Sequence, residues 1–341
     1  MLRKQLFIRA DASPAIGMGH RVRCQVLADA FLIAGWQVNF VTLDRLQYYF
    51  EESDIKIKAE SEFRKRAAAA DLVILDHYGY DGSMIETLYQ IQPNLLLLDD
   101  MNDRGPLACQ WLLNPVSLDY KASCLFLSNE YQHTMHLFVG AQYALLRSQF
   151  SKCTATHASS RDKLLISLGG TDPLGLTLPI LKNLVDSGFL CQDLIVMLGK
   201  SAMQADEVKH FCTVNHIECH QGVSEVAELM RQSKFAISAA GSTLFELAAM
   251  KVPSIFLQVA DNQSQLLKVH ADLGWCRGYR LDNQTLEARE RLLGEACQQL
   301  MLDWQDMDYQ ATANQFLASL TIGSAATSIV SQVEKVLFSK N

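Results

Sequence analysis

Residues 16–24 carry the sequence IGMGHRVRC, and this stretch decides the fold of the first half of the chain. The apolar run at 6–10 precedes it and is short enough for a buried strand, while apolar side chains recur at helical spacing from Val22 onward. Between the two, Gly17 and Gly19 permit a tight backbone turn and let a ligand approach the main chain. The pattern predicts a strand, a glycine loop and the first turn of a helix.

His20 is a candidate catalytic residue because of where this pattern places it. The first turn of a helix presents unpaired N–H groups and the positive end of the helix dipole, which favour a phosphate or a polar sugar. An imidazole there would lie beside such a ligand, although a lone loop histidine is more often a solvated or capping residue. The stretch is not a dinucleotide fingerprint, because Val22 stands where the third glycine would be.

The composition is that of an ordinary globular protein with two domains. The chain has 341 residues, of which 49% are hydrophobic and 20% charged, and this is enough apolar mass for two cores. A net charge of −7 without a Lys/Arg-rich run argues against nucleic-acid binding. No signal-peptide pattern is found, and no apolar segment approaches the ~20 residues that span a bilayer. We therefore expect a cytoplasmic protein without a membrane partner.

The cysteines and histidines predict neither a disulfide framework nor a metal site. Nine cysteines are scattered singly, as is typical of a reducing compartment. The one Cys/His cluster contains Cys212, His216, Cys219 and His220, and its spacing matches no standard zinc pattern. Neighbouring residues of a strand point to opposite faces, so Cys219 and His220 are poorly placed to share an ion. We expect no metal and no cofactor.

The first predicted domain covers residues 1–155 and is a doubly wound α/β domain. Strands are predicted at 6–10, 37–43, 72–76, 94–100, 111–115, 138–140 and 143–147, with a mostly helical stretch at 47–70. Two of these strands are continuous apolar runs that end in carboxylates, Asp76 in one and Asp99 and Asp100 in the other. Central parallel strands have this form, and their carboxyl ends carry the ligand site.

The second predicted domain covers residues 156–341 and repeats the plan of the first. A stretch rich in Ser, Thr and Ala at 148–162 indicates a linker. A strand at 163–168 then leads into the glycine turn 169–172 and a helix. Further strands are predicted at 193–198, 217–220, 235–238 and 254–257. The last helix, 325–338, is expected to return to the first domain.

A second glycine turn in this domain is a candidate phosphate site. Gly241, Ser242 and Thr243 open a helix, and their N–H and hydroxyl groups suit a diphosphate. Glu246 lies one turn inside the helix and can accept hydrogen bonds from ribose hydroxyls. The alternative is that the two hydroxyl side chains only cap the helix and that the glutamate only follows the first-turn preference for acidic residues.

Six blocks together resemble one enzyme family in order and spacing, from about residue 5 to residue 280. The blocks are 17–20, 76–79, 140–150, 169–172, 241–246 and 262–263. The family is the hydrolases of the pseudaminic acid pathway, which remove UDP from UDP-2,4-diacetamido-2,4,6-trideoxy-β-L-altrose for flagellin glycosylation. The resemblance implies the GT-B fold, in which two Rossmann-like domains face each other across a cleft and the C-terminal domain binds the nucleotide.

The resemblance also implies roles for individual residues. His20 matches the catalytic histidine, a general base for a water that attacks the anomeric carbon with inversion, without a metal. Asp11 and Ser13 would orient water or sugar, and His77 would either line the sugar side or make a structural hydrogen bond. Asp76, Asp99 and Asp100 would bind acetamido groups or cap the sheet. The substrate-binding residues implied are Asp11, Gly17, Gly19, Tyr78, Gly169, Gly170, Thr171, Gly241, Ser242, Thr243, Glu246, Asn262 and Gln263.

Three other functions fit the same sequence. A GT-B glycosyltransferase would hand the sugar to an acceptor. An exposed apolar or cationic membrane-docking patch on the first domain would favour it, but the sequence shows no strong candidate near the loops. A hydrolysing epimerase would act on a UDP-N-acetylhexosamine and also convert C2. A nucleotide-sugar sensor would bind its ligand without turnover.

Overall fold

The computed structural model describes residues 4–13, 16–45, 48–116, 118–153, 160–322 and 325–338. The chain forms two compact units. The first unit comprises Met1–Ser148 with Ile322–Asn341, and the second comprises Gln149–Thr321. The boundary thus lies after Ser148 rather than after residue 155. The predicted linker 148–162 opens with a short helix, and its residues 154–159 lie outside the described part of the chain.

The first unit is built on a seven-stranded parallel sheet. Its strands are β1 Gln5–Arg9, β2 Gln37–Leu43, β3 Ile55–Ile57, β4 Leu72–Leu75, β5 Leu95–Leu98, β6 Trp111–Asn114 and β7 His136–Val139. Its helices are α1 Gly19–Ile33, α2 Glu60–Ala67, α3 Gly82–Ile91 and α4 Lys121–Tyr131, and α5 Ser148–Lys152 follows at the boundary. The strand order is β3-β2-β1-β4-β5-β6-β7, so the order reverses between β1 and β4. Such a switch point is where open α/β sheets bind ligands.

Two local predictions for this unit were wrong. The stretch 47–70 contains the edge strand β3, and of its described residues, 48–70, only Glu60–Ala67 are helical. A three-residue strand is too short to show alternation in the sequence, and it exists because it pairs with β2. Residues 143–147 form no strand, because the chain turns through a 3₁₀ segment at Ala141–Tyr143 after β7.

The second unit is built on a six-stranded parallel sheet. Its strands are β8 Lys163–Ser167, β9 Leu194–Leu198, β10 Glu218–Gln221, β11 Ser233–Ala239, β12 Ser254–Gln258 and β13 Cys276–Arg280. Its helices are α6 Thr177–Asp186, α7 Ala205–Val214, α8 Val226–Gln232, α9 Thr243–Ala249, α10 Ser264–Asp272, α11 Leu286–Gln305 and α12 Met307–Ser319. The order β10-β9-β8-β11-β12-β13 places its switch point between β8 and β11. Strand β13 is not among the predicted strands, because it is an edge strand whose sequence, CRGYR, is largely polar.

The last helix, α13 Ala325–Phe338, packs in the first unit. Its buried residues Ile329, Val330 and Val333 belong to the same apolar core as strand β1 and helix α1. Glu334 accepts hydrogen bonds from Trp36 Nε1 and Lys4 Nζ, each at 3.0 Å. Within the described ranges, no helix is both long enough and apolar enough to cross a bilayer.

Candidate active site

The glycine loop of the first unit runs from β1 to the start of α1. Gly17 has a φ of +80°, a conformation that favours glycine, and its N–H donates to Ser13 O at 2.7 Å. Gly19 is different, because its φ lies outside the left-handed region and a Cβ added there would meet no atom within 4 Å. Neither the backbone nor neighbouring protein atoms therefore require a glycine at position 19.

His20 is the second residue of α1 and forms a buried pair with Asp76, which directly follows β4. The distance from His20 Nδ1 to Asp76 Oδ1 is 2.6 Å, and the two residues are 6% and 1% exposed. Burial alone would raise the pKa of Asp76, but the charge of Arg23, with the His20 and Arg23 hydrogen bonds, holds it well below its usual range. An ionised carboxylate only accepts, so Nδ1 carries a proton, and in the singly protonated ring the lone pair is on Nε2.

Arg23 joins this pair to a second carboxylate. Its Nε donates to Asp76 Oδ2 at 2.6 Å and its Nη2 to Asp76 Oδ1 at 2.5 Å. Its Nη1 donates to both oxygens of Asp100 at 2.8 and 2.9 Å. Arg23 is not among the residues predicted for the site, although the sequence carries a signal for it: three residues after His20 on a helix, it shares the histidine's face.

Tyr78 covers His20 from the loop after β4. Its hydroxyl donates to Asp100 Oδ2 at 2.6 Å. The Tyr78 ring stands edge-on to the imidazole, with centroids 4.4 Å apart and planes at 78°. Tyr78 is 42% exposed, so it lies between the buried imidazole of His20 and solvent. The structure thus places Tyr78 beside His20, while Asp76 and Asp100 hold charged side chains.

His77 belongs to a different network, centred on Asp11. Its Nδ1 accepts from Gly79 N at 2.9 Å, so Nε2 carries the proton and faces Asp11 Oδ2 at 3.1 Å. Because both ring nitrogens are engaged, His77 is poorly suited to act as a base. The geometry corresponds to the structural alternative for this residue.

Asp11 is buried, and protein groups occupy both of its carboxylate oxygens. Arg9 donates to them at 2.7 and 2.8 Å, and Thr42 and the Leu43 N–H add further bonds. Burial alone would raise the pKa of Asp11, but the hydrogen bonds from His77 and Arg9 hold it well below its usual range. This geometry favours a role in tying β1 to β2 and to the loop after β4 over the expected contact with water or sugar.

Asp99 also braces the scaffold rather than facing a ligand. It is 1% exposed and accepts from Arg104 Nη2 at 2.6 Å, from Asn102 N at 3.0 Å and from Tyr120 OH at 2.5 Å. These bonds fix the chain that follows β5. The three aspartates expected to bind acetamido groups or cap the sheet therefore differ: Asp99 is structural, whereas Asp76 and Asp100 surround His20 and Arg23.

The second unit gathers its predicted residues at the carboxyl ends of β8, β11 and β12. The Gly169–Gly170–Thr171 turn follows β8, and Thr171 O accepts from Met203 N at 2.9 Å. Gly169 has a φ of +77°. A Cβ added to Gly199, after β9, would lie 2.1 Å from Gly170 O, so the loop after β9 packs directly on this turn. Gly199 is not among the predicted residues, because such a contact between two loops leaves no local pattern in the sequence.

The turn that opens α9 follows strand β11, which is the neighbour of β8 in the sheet. Ser242 occupies the N-cap position but its side chain makes no capping hydrogen bond, so its hydroxyl is not explained as a cap. Glu246 is buried in the first turn of α9. Asn262 and Gln263 lie in a 3₁₀ turn after β12. A Cβ added to Gly241 would lie 3.8 Å from Gln263 Nε2, so the predicted amide and glycine turn do come together.

The Cys/His cluster spreads over helix α7, the turn after it and strand β10. Cys212 lies in α7 and Cys219 in β10, and all nine cysteines of the chain are free thiols. In the part of the chain that the structure describes, no group of three or more His, Cys, Asp or Glu side chains is arranged to hold a metal ion.

Sequence comparisons find distant relatives of the chain, at 21–26% identity. No family model matches the chain. An uncharacterised protein of Methanocaldococcus jannaschii is 26% identical over 281 residues, 74% of this chain and 55% of that protein. The spore coat polysaccharide biosynthesis protein SpsG of Bacillus subtilis is 21% identical, over 78% of this chain and 81% of that one. The UDP-2,4-diacetamido-2,4,6-trideoxy-beta-L-altropyranose hydrolase of Campylobacter jejuni is 25% identical, over 72% and 89%. This chain thus spans about half of the first relative and most of the other two.

Solved structures show the fold. MurG of Acinetobacter baumannii superposes with a TM-score of 0.59 at 14% identity, covering 97% of this chain and 99% of that one. UGT2 of Phytolacca americana, complexed with UDP-2fluoro-glucose and pterostilbene, superposes with a TM-score of 0.57 at 11% identity, covering 98% and 99%. The predicted fold class is confirmed: the chain has two parallel-sheet α/β domains of the kind found in GT-B glycosyltransferases, and it is similar in sequence to a UDP-sugar hydrolase.

Proposed function

We propose that this protein hydrolyses UDP-2,4-diacetamido-2,4,6-trideoxy-β-L-altrose to UDP and the free sugar, with His20 as the general base. The observation that carries the proposal is the buried His20–Asp76 pair, with Nδ1 bound at 2.6 Å to a carboxylate. This arrangement leaves Nε2 as a proton acceptor at the carboxyl edge of the first sheet. The similarity to the Campylobacter jejuni hydrolase supplies the substrate class.

The proposed reaction needs little from the protein beyond positioning. A water oxygen bonds to the anomeric carbon while the bond from that carbon to the β-phosphate oxygen breaks, and its electron pair leaves with UDP. The water proton passes to Nε2 of His20, and the configuration inverts. UDP is a good leaving group, so an oriented water, a base and charge stabilisation on the diphosphate are sufficient.

The proposal assigns nucleotide binding to the second unit. The N–H groups at Gly241–Thr243 would receive the diphosphate, and Glu246 would accept from the ribose hydroxyls. The Ser242 side chain, which makes no capping bond, supports this assignment. Gly169, Gly170, Thr171, Asn262 and Gln263 lie on neighbouring loops of the same sheet edge and are proposed to contact the substrate.

Proton and phosphorus NMR of the purified chain with the UDP-sugar tests the proposal. The reaction is run without acceptor, once with EDTA and once with Mg²⁺. We expect release of UDP and the free sugar in both samples. Turnover of UDP-N-acetylglucosamine with a change at C2 would instead indicate an epimerase, and tight UDP-sugar binding without any turnover would indicate a sensor.

A glycosyltransferase is the second candidate, and one observation favours it. Four apolar side chains on the loops at this sheet edge are 40–41% exposed: Ile16, Met18, Tyr49 and Phe50. The Tyr49 N–H donates to Ala12 O at 2.7 Å, which ties their two loops together. Exposed apolar groups beside a site suit an apolar acceptor or a lipid surface. Sugar release only after an acceptor is added would support this candidate and contradict hydrolysis.

A further inference from the structure

Arg23 is the junction of the charged groups around His20. Its guanidinium makes bonds to both oxygens of Asp76 and both oxygens of Asp100, and its side chain is only 19% exposed. Asp76 is also hydrogen-bonded to His20 Nδ1, and Asp100 also accepts a hydrogen bond from the Tyr78 hydroxyl. A planar fork with five donors is the one side chain that can serve two carboxylates in this way.

The charges that meet at Arg23 influence whether the imidazole of His20 is protonated. Two carboxylates face one guanidinium, and Nη2 of Arg23 lies 3.3 Å from Nδ1 of His20. Nη2 and Nδ1 both converge on the same oxygen, Oδ1 of Asp76. If the guanidinium were removed, two carboxylates would remain without compensation beside the ring. That environment favours the protonated imidazolium, which cannot accept a proton from water.

We propose that Arg23 is a positioning residue for His20: it balances Asp76 and Asp100 so that the imidazole stays a neutral proton acceptor, and through Asp100 it holds Tyr78 over the ring. This inference rests on the proposed function of His20 as a base. It adds a requirement that the base assignment alone does not contain, namely that the charge of Arg23 sets the pH range in which the base works.

The charged and titratable groups in the His20 network come from three parts of the first unit. Asp76 and Tyr78 follow β4, Asp100 follows β5, and Arg23 lies on α1 with the ring itself. Cys24 Sγ lies 3.5 Å from Asp76 Oδ2, and burial raises the pKa of its thiol well above the usual range, so it stays neutral. Among the described residues, the hydrogen-bonded network that includes the ring thus contains two carboxylates and one guanidinium.

The test compares Arg23→Met, which removes the charge, with Arg23→Lys, which keeps it but loses the fork. The first measurement is kcat/KM for UDP-sugar hydrolysis from pH 5 to 9. On the acid side of the pH profile, kcat/KM falls as the pH drops, and we call this fall the acid limb. For Arg23→Met we expect the acid limb to move to higher pH by about one unit or more. At pH 6 kcat/KM should then be at least ~10-fold lower than in the wild type, and it should recover at high pH. For Arg23→Lys we expect a loss of rate at all pH values with the acid limb near its original position.

Two further variants keep the test decisive. Asp100→Asn removes one carboxylate and leaves Arg23 on Asp76, so the acid limb should move in the opposite direction, to lower pH. Arg21→Met is the matched control, because Arg21 lies on the same helix in a buried bidentate pair with Asp54, outside the His20 network. Its loss should lower stability without moving the acid limb. If Arg23→Met and Arg23→Lys reduce the rate equally at every pH, Arg23 is only structural and the inference is wrong.

A measurement without substrate separates this inference from the proposed function. Nitrogen-15 NMR of the His20 ring reports its tautomer and protonation in the resting protein. We expect a neutral ring protonated on Nδ1 in the wild type at pH 7 and a doubly protonated ring in Arg23→Met. If the protein hydrolyses no UDP-sugar but the ring behaves in this way, the proposed function fails and the role of Arg23 stands. An unchanged ring in Arg23→Met overturns the inference even if hydrolysis is observed.

Discussion

Two histidines at the same sheet edge differ in the nitrogen that their surroundings engage. His20 places Nδ1 on Asp76, so its second nitrogen is available as an acceptor. His77 accepts a backbone N–H on Nδ1 and faces Asp11 through Nε2, so neither nitrogen is available. Sequence position alone does not distinguish them, since each follows a strand of the same sheet. The hydrogen-bond partners decide which one can act as a base.

Gly19→Ala tests whether the glycine is needed for ligand binding or for the stability of the fold. A Cβ at this position meets no protein atom within 4 Å, and alanine is the better helix former by up to ~1 kcal/mol, so we expect no loss of stability. If a ligand approaches this backbone, KM should rise at least ~10-fold, which corresponds to about 1.4 kcal/mol of lost binding. Thermal melts and steady-state kinetics supply the two readouts.

The matched control for that substitution is Gly294→Ala, a helical glycine in α11 that also has open space around it. Its kinetics should equal those of the wild type. Wild-type kinetics in Gly19→Ala as well would show that no ligand approaches the main chain at this position.

His270 gives the second unit a pH-dependent stability. It is 2% exposed, and burial lowers its pKa to about 4. The unfolded chain takes up this proton near pH 6.5, whereas the folded chain resists it down to about pH 4. Stability is therefore complete above pH 6.5 and falls as the pH drops toward 4, by roughly 3 kcal/mol in total.

His270→Gln removes the titration and keeps an acceptor for Trp275 Nε1, which donates to His270 Nδ1 at 3.2 Å. Urea denaturation at pH 7.5 and at pH 4.5 measures the effect. The loss of unfolding free energy on acidification should be smaller in the variant than in the wild type. Equal losses in the two proteins would mean that His270 titrates normally in the folded state.

At the scale of elements, the site is a product of strand order. Strands β1, β4 and β5 are neighbours in the sheet, so Asp11, Asp76 and Asp100 meet at one edge although they are far apart in sequence. Helix α1 adds His20 and Arg23 from one face. Buried apolar runs that end in carboxylates are visible in the sequence, because central parallel strands are apolar on both faces. These elements were predicted correctly.

Other features could not be predicted, for identifiable physical reasons. Strands β3 and β13 lie at sheet edges and exist through pairing with one neighbour, so their own sequences carry little signal. The pairing of Arg23 with two carboxylates depends on side chains from three elements. The same is true of Asp11, whose five hydrogen bonds come from residues 9, 42, 43 and 77. Local sequence patterns can identify such residues as candidates, but they do not predict which of these side chains contact each other.

Gly199→Ala tests the packing of the loop after β9 on the Gly169–Gly170 turn. The added Cβ would lie 2.1 Å from Gly170 O, a clash that the backbone must relieve. Overpacking of this kind costs ~1–3 kcal/mol, and the displaced turn should also weaken UDP binding. Denaturation and calorimetry with UDP measure the two effects. Gly170→Ala, which meets no atom within 4 Å, should keep wild-type stability; equal stability of both variants would show that the loops are further apart than described.

At the scale of the whole molecule, the chain returns to its first unit after completing the second. Helix α13 places Ile329 at 0% exposure in the core that contains β1 and α1. This long-range packing agrees with the expectation for the last helix, which came from analogy with the fold and not from any local pattern. The repeated plan of strand, glycine turn and helix in both units, in contrast, was visible in the sequence itself.

Ile329→Ala should therefore destabilise the first unit. Truncation of a fully buried isoleucine costs ~2–5 kcal/mol, and hydrogen exchange should localise the loss to β1, β2 and α1. Leu300→Ala, a fully buried site in α11 of the second unit, is the control, and its exchange should increase in the second sheet instead. Faster exchange in the second sheet alone on Ile329→Ala would contradict the assignment of α13.

The central claim is that His20 is the base that removes a proton from water as UDP leaves. The most direct measurement is the rate of UDP release from UDP-2,4-diacetamido-2,4,6-trideoxy-β-L-altrose by the wild type and by His20→Asn, with UDP affinity measured on both. Asparagine keeps a polar side chain but cannot accept the proton, so we expect the rate to fall by ~10²–10⁴-fold while UDP affinity is retained. A rate in His20→Asn close to that of the wild type would contradict the account.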